Sequence, residues 1–158
     1  MRKERLQERD LETVDWLVGL RWPKARACPH CDKRDASEMI RTRALFQCSS
    51  CEKQYGVFGG TVFHGTRLSP FDLASAIIQF WKASSENEEE FVTGTGLKRS
   101  VLQRRWKGPI SVREFERLLK KDINSYSTIL RLHKKLAPSF KVGVGLEDFI
   151  KGLLKRAG

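Results

Sequence analysis

The sequence predicts a small α+β protein in which a short β-sheet built around four cysteines precedes a mostly α-helical part. All four cysteines lie in two CxxC pairs between residues 28 and 51, beside segments rich in β-branched and aromatic residues. After residue 67, several stretches have the capping residues and apolar spacing of helices. The length of 158 residues suits one ordinary domain or two small ones.

The chain is strongly basic, with 30 Lys+Arg against 19 Asp+Glu and a net charge of +11. Most of the excess lies in residues 98 to 141, which hold 13 basic residues and three acids. A local excess of this kind favours a polyanionic partner such as nucleic acid, although a solvated face is the alternative. No apolar run approaches the roughly 18 residues that span a bilayer, and the amino terminus does not resemble a secretory signal. We therefore expect no membrane partner and a cytoplasmic, nucleoid-associated location.

The cysteine pairs are Cys28 with Cys31 and Cys48 with Cys51, and 16 residues separate them. Two residues between thiolates let both sulfurs of a turn reach one tetrahedral metal, and this spacing is typical of zinc. Two disulfides or a catalytic dithiol are the alternatives, and a reducing cytoplasm disfavours disulfides. With "MIRTRALFQ" and "KQYGVFGG" as strands, the pattern predicts a zinc ribbon. One structural zinc ion is expected, because four thiolates leave no open position for a substrate. We expect His30 at the surface or as a donor to a ligand.

The segment after the ribbon begins with strong helix signals. Ser69 is placed as the N-cap of "LSPFDLASAIIQFWKAS", with Pro70 at the first helical position. The next segment, "ENEEEFVTGTG", is expected to be a loop or hinge. "GLKRSVLQRRWKGP" is then expected to form a short basic helix that buries Val101, Leu102 and Trp106.

Residues 111 to 136 have the layout of a helix-turn-helix. Ser111 and Glu114 form a capping box for the first helix, and Ile123 is expected to pack between the helices. A second helix should run from Asn124 or Ser125 to about Leu136 with a polar, basic face suited to a major groove; a bundle helix facing water is the alternative. The candidate DNA-binding residues are Lys98, Arg99, Arg104, Arg105, Lys107, Ser125, Ser127, Thr128, Arg131, Lys134 and Lys135.

The tail, "FKVGVGLEDFIKGLLKRAG", is expected to end in a short amphipathic helix whose apolar stripe packs in the core or forms a homodimer contact. The predicted domains are then residues 1–66 with an N-terminal helix and the ribbon, residues 67–140 with the helical DNA-binding part, and residues 141–158 with the tail helix.

Several of these motifs together resemble the amino-terminal part of bacterial insertion-sequence transposases, which carry a zinc ribbon before a DDE catalytic domain. The matching stretches are "LRWP", "CPHC", "CSSC", "GGTVFHGTRLSP" and the helix-turn-helix region, and the resemblance covers roughly residues 5 to 137. In that family a nuclease domain with well-separated carboxylates follows at this point. Here about twenty residues follow, with Glu147 and Asp148 as their only acids.

The resemblance therefore implies a transposase-derived protein that is not an enzyme and acts by binding. The first expectation is a sequence-preferring transcriptional regulator that binds double-stranded DNA. The alternative is an adaptor whose ribbon binds RNA polymerase or another protein, with nonspecific DNA contact only.

Overall fold

The computed structural model describes residues 7–93 and 101–155, and it has the small α+β fold that the sequence predicts. The chain divides into two compact units. Unit 1 comprises Met1–Ser75 and Ile150–Gly158, and unit 2 comprises Ala76–Phe149. The domain limits predicted from the sequence remain a prediction.

Unit 1 contains the N-terminal helix and the cysteine-bearing sheet. Helix α1 spans Glu8–Arg21, and strands β1 (Ser37–Ile40), β2 (Leu45–Cys48) and β3 (Gln54–Tyr55) form one antiparallel sheet in the order β1-β2-β3. The Gln7 side chain and Asp10 make a reciprocal capping box at the start of α1. The segment 39–47, predicted as one strand, instead contains the end of β1, a turn at 41–44 and most of β2, and only Gln54 and Tyr55 of the predicted return strand are in β3.

Aromatic and guanidinium groups hold this sheet together. Trp22 and Phe46 meet edge to face at 6.1 Å between ring centroids, and the Arg26 guanidinium lies 4.1 Å above the Phe46 ring. Arg21 donates from its two terminal nitrogens to the carbonyls of Val57 and Gly59, at 2.6 and 2.7 Å. These contacts tie the end of α1 to the sheet and to the loop after β3.

Unit 2 corrects the prediction for residues 88 to 106. The acidic stretch expected to be a loop is strand β4 (Glu88–Thr93), and the stretch expected to be a basic helix contains strand β5 (Val101–Trp106). The two strands pair antiparallel from Glu88 opposite Trp106 to Thr93 opposite Val101. Leu102 was expected to be buried, but it is 66% exposed. Residues of β5 form a strand instead of a helix because the acidic segment supplies a partner strand for them, with glutamates opposite the arginines.

Phe80 is the centre of the core of unit 2. It belongs to helix α2 (Pro70–Ser85), is fully buried, and contacts the rings of Phe115, His133, Phe140 and Phe149 at centroid distances of 5.3 to 6.2 Å. The Ser69 hydroxyl accepts from the Asp72 N–H at 3.1 Å, as expected of an N-cap.

The ends of the hairpin and the next helix are anchored near the end of α2. Trp106 donates its indole N–H to the Ser84 carbonyl at 2.7 Å, and Ile110 donates its backbone N–H to the Ser84 hydroxyl at 3.1 Å. Asn87 accepts from the Lys107 N–H and donates to the Gly108 carbonyl, both at 2.7 Å. The base of the hairpin therefore has its backbone polar groups satisfied.

Two helices occupy the region of the predicted helix-turn-helix. Helix α3 spans Val112–Leu119 and α4 spans Tyr126–Leu136, with Ser111 and Ser125 as their N-caps. Ile123 in the connecting turn is 5% exposed, as expected of a residue that packs between helices. A short 3-10 turn at Ala137–Ser139 follows α4.

The predicted tail helix is present as α5 (Leu146–Leu153). Phe149, Ile150, Leu153 and Leu154 are each at most 2% exposed, so the apolar stripe packs in the interior. Among the described residues, no helix has the length and apolar character needed to cross a membrane.

Candidate metal centre and candidate nucleic-acid interface

The four cysteine sulfurs form one compact cluster. All four Sγ atoms lie within 4.8 Å of one another, with Cys28 to Cys51 at 3.7 Å and Cys31 to Cys48 at 3.6 Å. A zinc ion at about 2.3 Å from each sulfur sets neighbouring sulfurs roughly 3.8 Å apart in a tetrahedron. A disulfide would bring its sulfurs to about 2.05 Å. The cysteines are therefore arranged to hold one metal ion, and the disulfide alternative does not fit.

The two cysteine turns have the same backbone geometry. In each turn the first cysteine donates its N–H, over 3.0 Å, to the carbonyl of the lysine five positions later, Lys33 or Lys53. The acidic residue after each pair, Asp32 or Glu52, has a left-handed φ of 62° or 63° and donates its N–H to the carbonyl of the first cysteine. This conformation is uncommon for residues other than glycine. Its occurrence at the same position of both turns indicates that each pair of cysteines requires the same backbone geometry.

Backbone N–H groups favour a thiolate at Cys48. Its pKa is lowered to about 6, chiefly by the N–H of Cys51, while burial opposes the shift and the N–H of Ser50 adds to it. The N–H of Lys53 lowers the pKa of Cys51, but burial and the other three cysteines outweigh it and raise that pKa to about 11. A bound dication supplies the positive charge that lets all four sulfurs act as thiolate ligands.

His30 lies inside the first turn but does not belong to the cluster. Its side chain is exposed, its backbone N–H donates to Cys28 Sγ at 3.4 Å, and its ring Nε2 lies 3.3 Å from the Gln54 carbonyl. It therefore supports a ligand through its backbone, which is one of the two roles expected from the sequence.

A three-stranded antiparallel sheet with four cysteines on two equivalent turns defines a zinc ribbon. Residues 9–54 match the family model described as a transposase zinc-ribbon domain. The match covers less than a third of the chain, from α1 to the start of β3. No curated protein and no solved structure matches the sequence. The predicted zinc ribbon and its site for one metal ion are thus confirmed, together with the transposase-like character of this segment.

The structure places the candidate DNA-binding residues in two groups. The first group is on the β4–β5 hairpin, where Arg104 lies 3.0 Å from Glu90 and Arg105 lies 3.5 Å from Glu89. Lys107 follows β5 with an exposed side chain. Lys98 and Arg99 lie outside the described residues. The acidic segment therefore neutralises the two arginines that the sequence suggested for DNA.

The second group lies on α4 and at its N-cap. The Ser125 hydroxyl accepts from the Thr128 N–H at 3.4 Å and lies 2.9 Å from the Ser127 hydroxyl. Ser127, Arg131 and Lys134 are exposed at spacings of four and three, so they share one helix face. Thr128 and Lys135 are half-buried at its margin. This exposed face agrees with the pattern expected from the sequence, while its role in DNA binding stays a prediction.

Sequence reasoning missed the acidic residues that follow each cysteine pair. Asp32 and Glu52 shape the metal turns through their left-handed backbone, yet as charged residues they were counted only toward the net charge. The signal was present, since "CPHCDK" and "CSSCEK" repeat the same order of cysteine, acid and lysine.

Proposed function

We propose that this chain is a transposase-derived, zinc-containing protein that binds double-stranded DNA through α3 and α4 and acts as a sequence-preferring transcriptional regulator. The observation that carries the proposal is the exposed face of α4. Arg131 and Lys134 form no ion pair within the described residues, in contrast to the arginines of β5. Cations without a protein partner are available to phosphates, and this is the main source of affinity for DNA.

The residues around that face support the same proposal. Arg113, Arg117, Lys120 and Lys121 on α3 and the turn after it are all exposed. The N-terminal turn of α4 presents short hydroxyl groups, which can donate to and accept from base edges, and its C-terminal half presents cations. Hydroxyls at the front and cations behind are the order in which a recognition helix meets bases and backbone.

A selection experiment tests the proposal. Zinc-loaded protein is incubated with fragmented genomic DNA at near-physiological salt, and the bound fragments are sequenced. Enrichment of a shared motif would support a site-specific regulator of nucleoid DNA. Absence of any duplex binding at low salt would refute the proposal.

The proposal includes the absence of nuclease and strand-transfer activity in this chain. It is supported by the described residues, among which the cluster able to hold a metal ion consists of the four cysteines, whereas two-metal cleavage would need several convergent carboxylates. Purified protein is incubated with supercoiled plasmid and magnesium or manganese. Cleavage or strand transfer that co-purifies with the protein would contradict this part of the proposal.

A second candidate function is that of an adaptor whose ribbon binds RNA polymerase or another protein. The observation that favours it is an apolar groove in unit 1 whose rim carries a cation. Co-purification with polymerase, compared between the wild-type protein and a variant with Arg43 reversed to Glu, tests this candidate.

A further inference from the structure

Unit 1 contains a groove of about 390 Å³ beside the sheet. The groove is lined by α1, by the ends of β2 and β3, and by the segment from residue 56 to residue 70. Its floor is apolar: the partly exposed Leu45, Leu68 and Pro70 line it, together with the buried Val57 and Phe63. The volume lies at the low end of the roughly 300–1,000 Å³ of ligand pockets, so it suits one or two side chains.

The rim of this groove is basic. Arg43 and His64 line it with exposed side chains, and none of its described lining residues is acidic. Arg43 makes no ion pair within the described part of the chain. Arg41, two positions earlier, lies outside the groove and pairs with Asp15 at 3.6 Å. The charge available at the rim therefore belongs to Arg43.

We propose that this groove binds an acidic, amphipathic peptide segment of a partner protein. An apolar side chain of the segment occupies the floor, and a neighbouring carboxylate pairs with Arg43 in a charge-assisted contact. A DNA duplex fits less well, because its phosphates would meet Arg43 while its apolar surface is stacked inside and offers nothing to the floor. The combination of a partly exposed apolar floor with a cationic rim is what selects a peptide.

This inference deepens the adaptor candidate, and it is independent of DNA binding by α4. If the groove binds no peptide, the protein can still bind duplex DNA through α4. If the protein binds no duplex, the groove can still bind peptide. The two proposals therefore have separate tests.

The test uses the zinc-loaded full chain and a short fluorescent peptide in which leucine and phenylalanine are flanked by aspartates. Binding is followed by fluorescence anisotropy. One control peptide replaces the aspartates with lysines, and another replaces the two apolar residues with alanines. The protein variants are Arg43→Glu and the matched charge reversal Arg41→Glu, each checked for zinc content and helical circular dichroism.

A third variant, Gly56→Leu, fills the groove. Gly56 does not have a left-handed φ, and a Cβ added there would lie 3.5 Å from Leu45 Cδ2, which is ordinary contact. The added side chain therefore enters the groove region without backbone strain.

We expect saturable binding of the acidic peptide and much weaker binding of both control peptides. Arg43→Glu should weaken binding roughly five- to ten-fold, because an attraction becomes a repulsion, while Arg41→Glu changes it less than two-fold. Gly56→Leu should abolish binding with the zinc content unchanged. No saturable peptide binding, equal loss in both arginine variants, or full binding by Gly56→Leu would overturn the proposal. If the wild-type protein binds no peptide and Arg43→Glu loses duplex binding, the rim contacts nucleic acid, and the proposal is overturned as well.

Discussion

The salt dependence of DNA binding should distinguish the cations of α4 from the arginines of β5. We compare Arg131→Gln/Lys134→Gln with Arg104→Gln/Arg105→Gln, two double variants that remove the same formal charge. On random-sequence duplex each phosphate contact contributes about 0.9 to the slope of log affinity against log salt. Loss of two contacts on α4 should therefore reduce the slope by about 1.8. Between 50 and 200 mM salt, the affinity ratio of wild type to variant should change roughly ten-fold.

The hairpin variant should behave differently because its arginines lie 3.0 and 3.5 Å from Glu90 and Glu89. A cation held beside a carboxylate releases few counterions from DNA, so the slope should fall by well under one unit. The assay is fluorescence anisotropy of a labelled duplex titrated at five or so salt concentrations, on the order of 50 to 200 mM. An equal reduction of slope in both double variants would refute the reasoning, because it would show that the exposed Glu–Arg pairs open to bind phosphate.

Three further predictions follow from individual contacts. Cys48→Ser removes one of four metal ligands, so we expect the variant to lose bound zinc and the amide protection of β1 to β3 while it keeps the amide protection around Phe80. Metal analysis measures the zinc and hydrogen exchange measures the protection. A variant that still binds zinc and keeps β1 to β3 protected would contradict the ribbon. Ser84→Ala leaves the buried N–H of Ile110 without its acceptor, so it should lower the free energy of unfolding of unit 2 by about 1–3 kcal/mol, measured by urea denaturation. The control Ser85→Ala, at an exposed neighbouring position, should leave that free energy unchanged. If Arg131 contacts a base, Arg131→Ala should reduce the binding free energy for a selected DNA site by about 1–3 kcal/mol more than for random duplex. Lys134→Ala should weaken binding to all duplexes alike. Equal effects of the two substitutions on all duplexes would refute the base-reading proposal.

The metal centre could be predicted from the sequence because its information is local. Two residues between cysteines dictate the turn, and the 16 residues between the pairs are enough for a hairpin. The caps of α3 and α4 were predictable for the same reason, since Ser111 and Ser125 bond to the N–H groups three positions later. In each case the atoms that decide the structure are a few residues apart.

The β4–β5 hairpin could not be predicted in this way. In isolation the residues around Arg104 have long, unbranched side chains that favour a helix, and the run of glutamates before Phe91 indicates a solvated loop. Strand pairing depends on partners eight to eighteen residues away, and neither segment alternates strictly between apolar and polar residues. The available signal was the combination of Phe91 and Val92 with opposite charges on the two sides of a glycine-rich stretch.

The opposite charges of this hairpin also have a consequence for folding. Val92 and Leu102, which face each other across the strands, are 60% and 66% exposed, so burial at this pair contributes little to choosing one alignment of the strands over another. A shift of two residues along β5 would place Glu90 opposite Leu102 and break the Glu90–Arg104 pair. In that shifted alignment Glu88 faces Arg104, so one Glu–Arg pair remains where the observed register has two. Exposed ion pairs add little to total stability, but a two-residue shift loses at least one of them. The glutamates and arginines of the hairpin thus favour the observed register over alignments that are shifted by two residues.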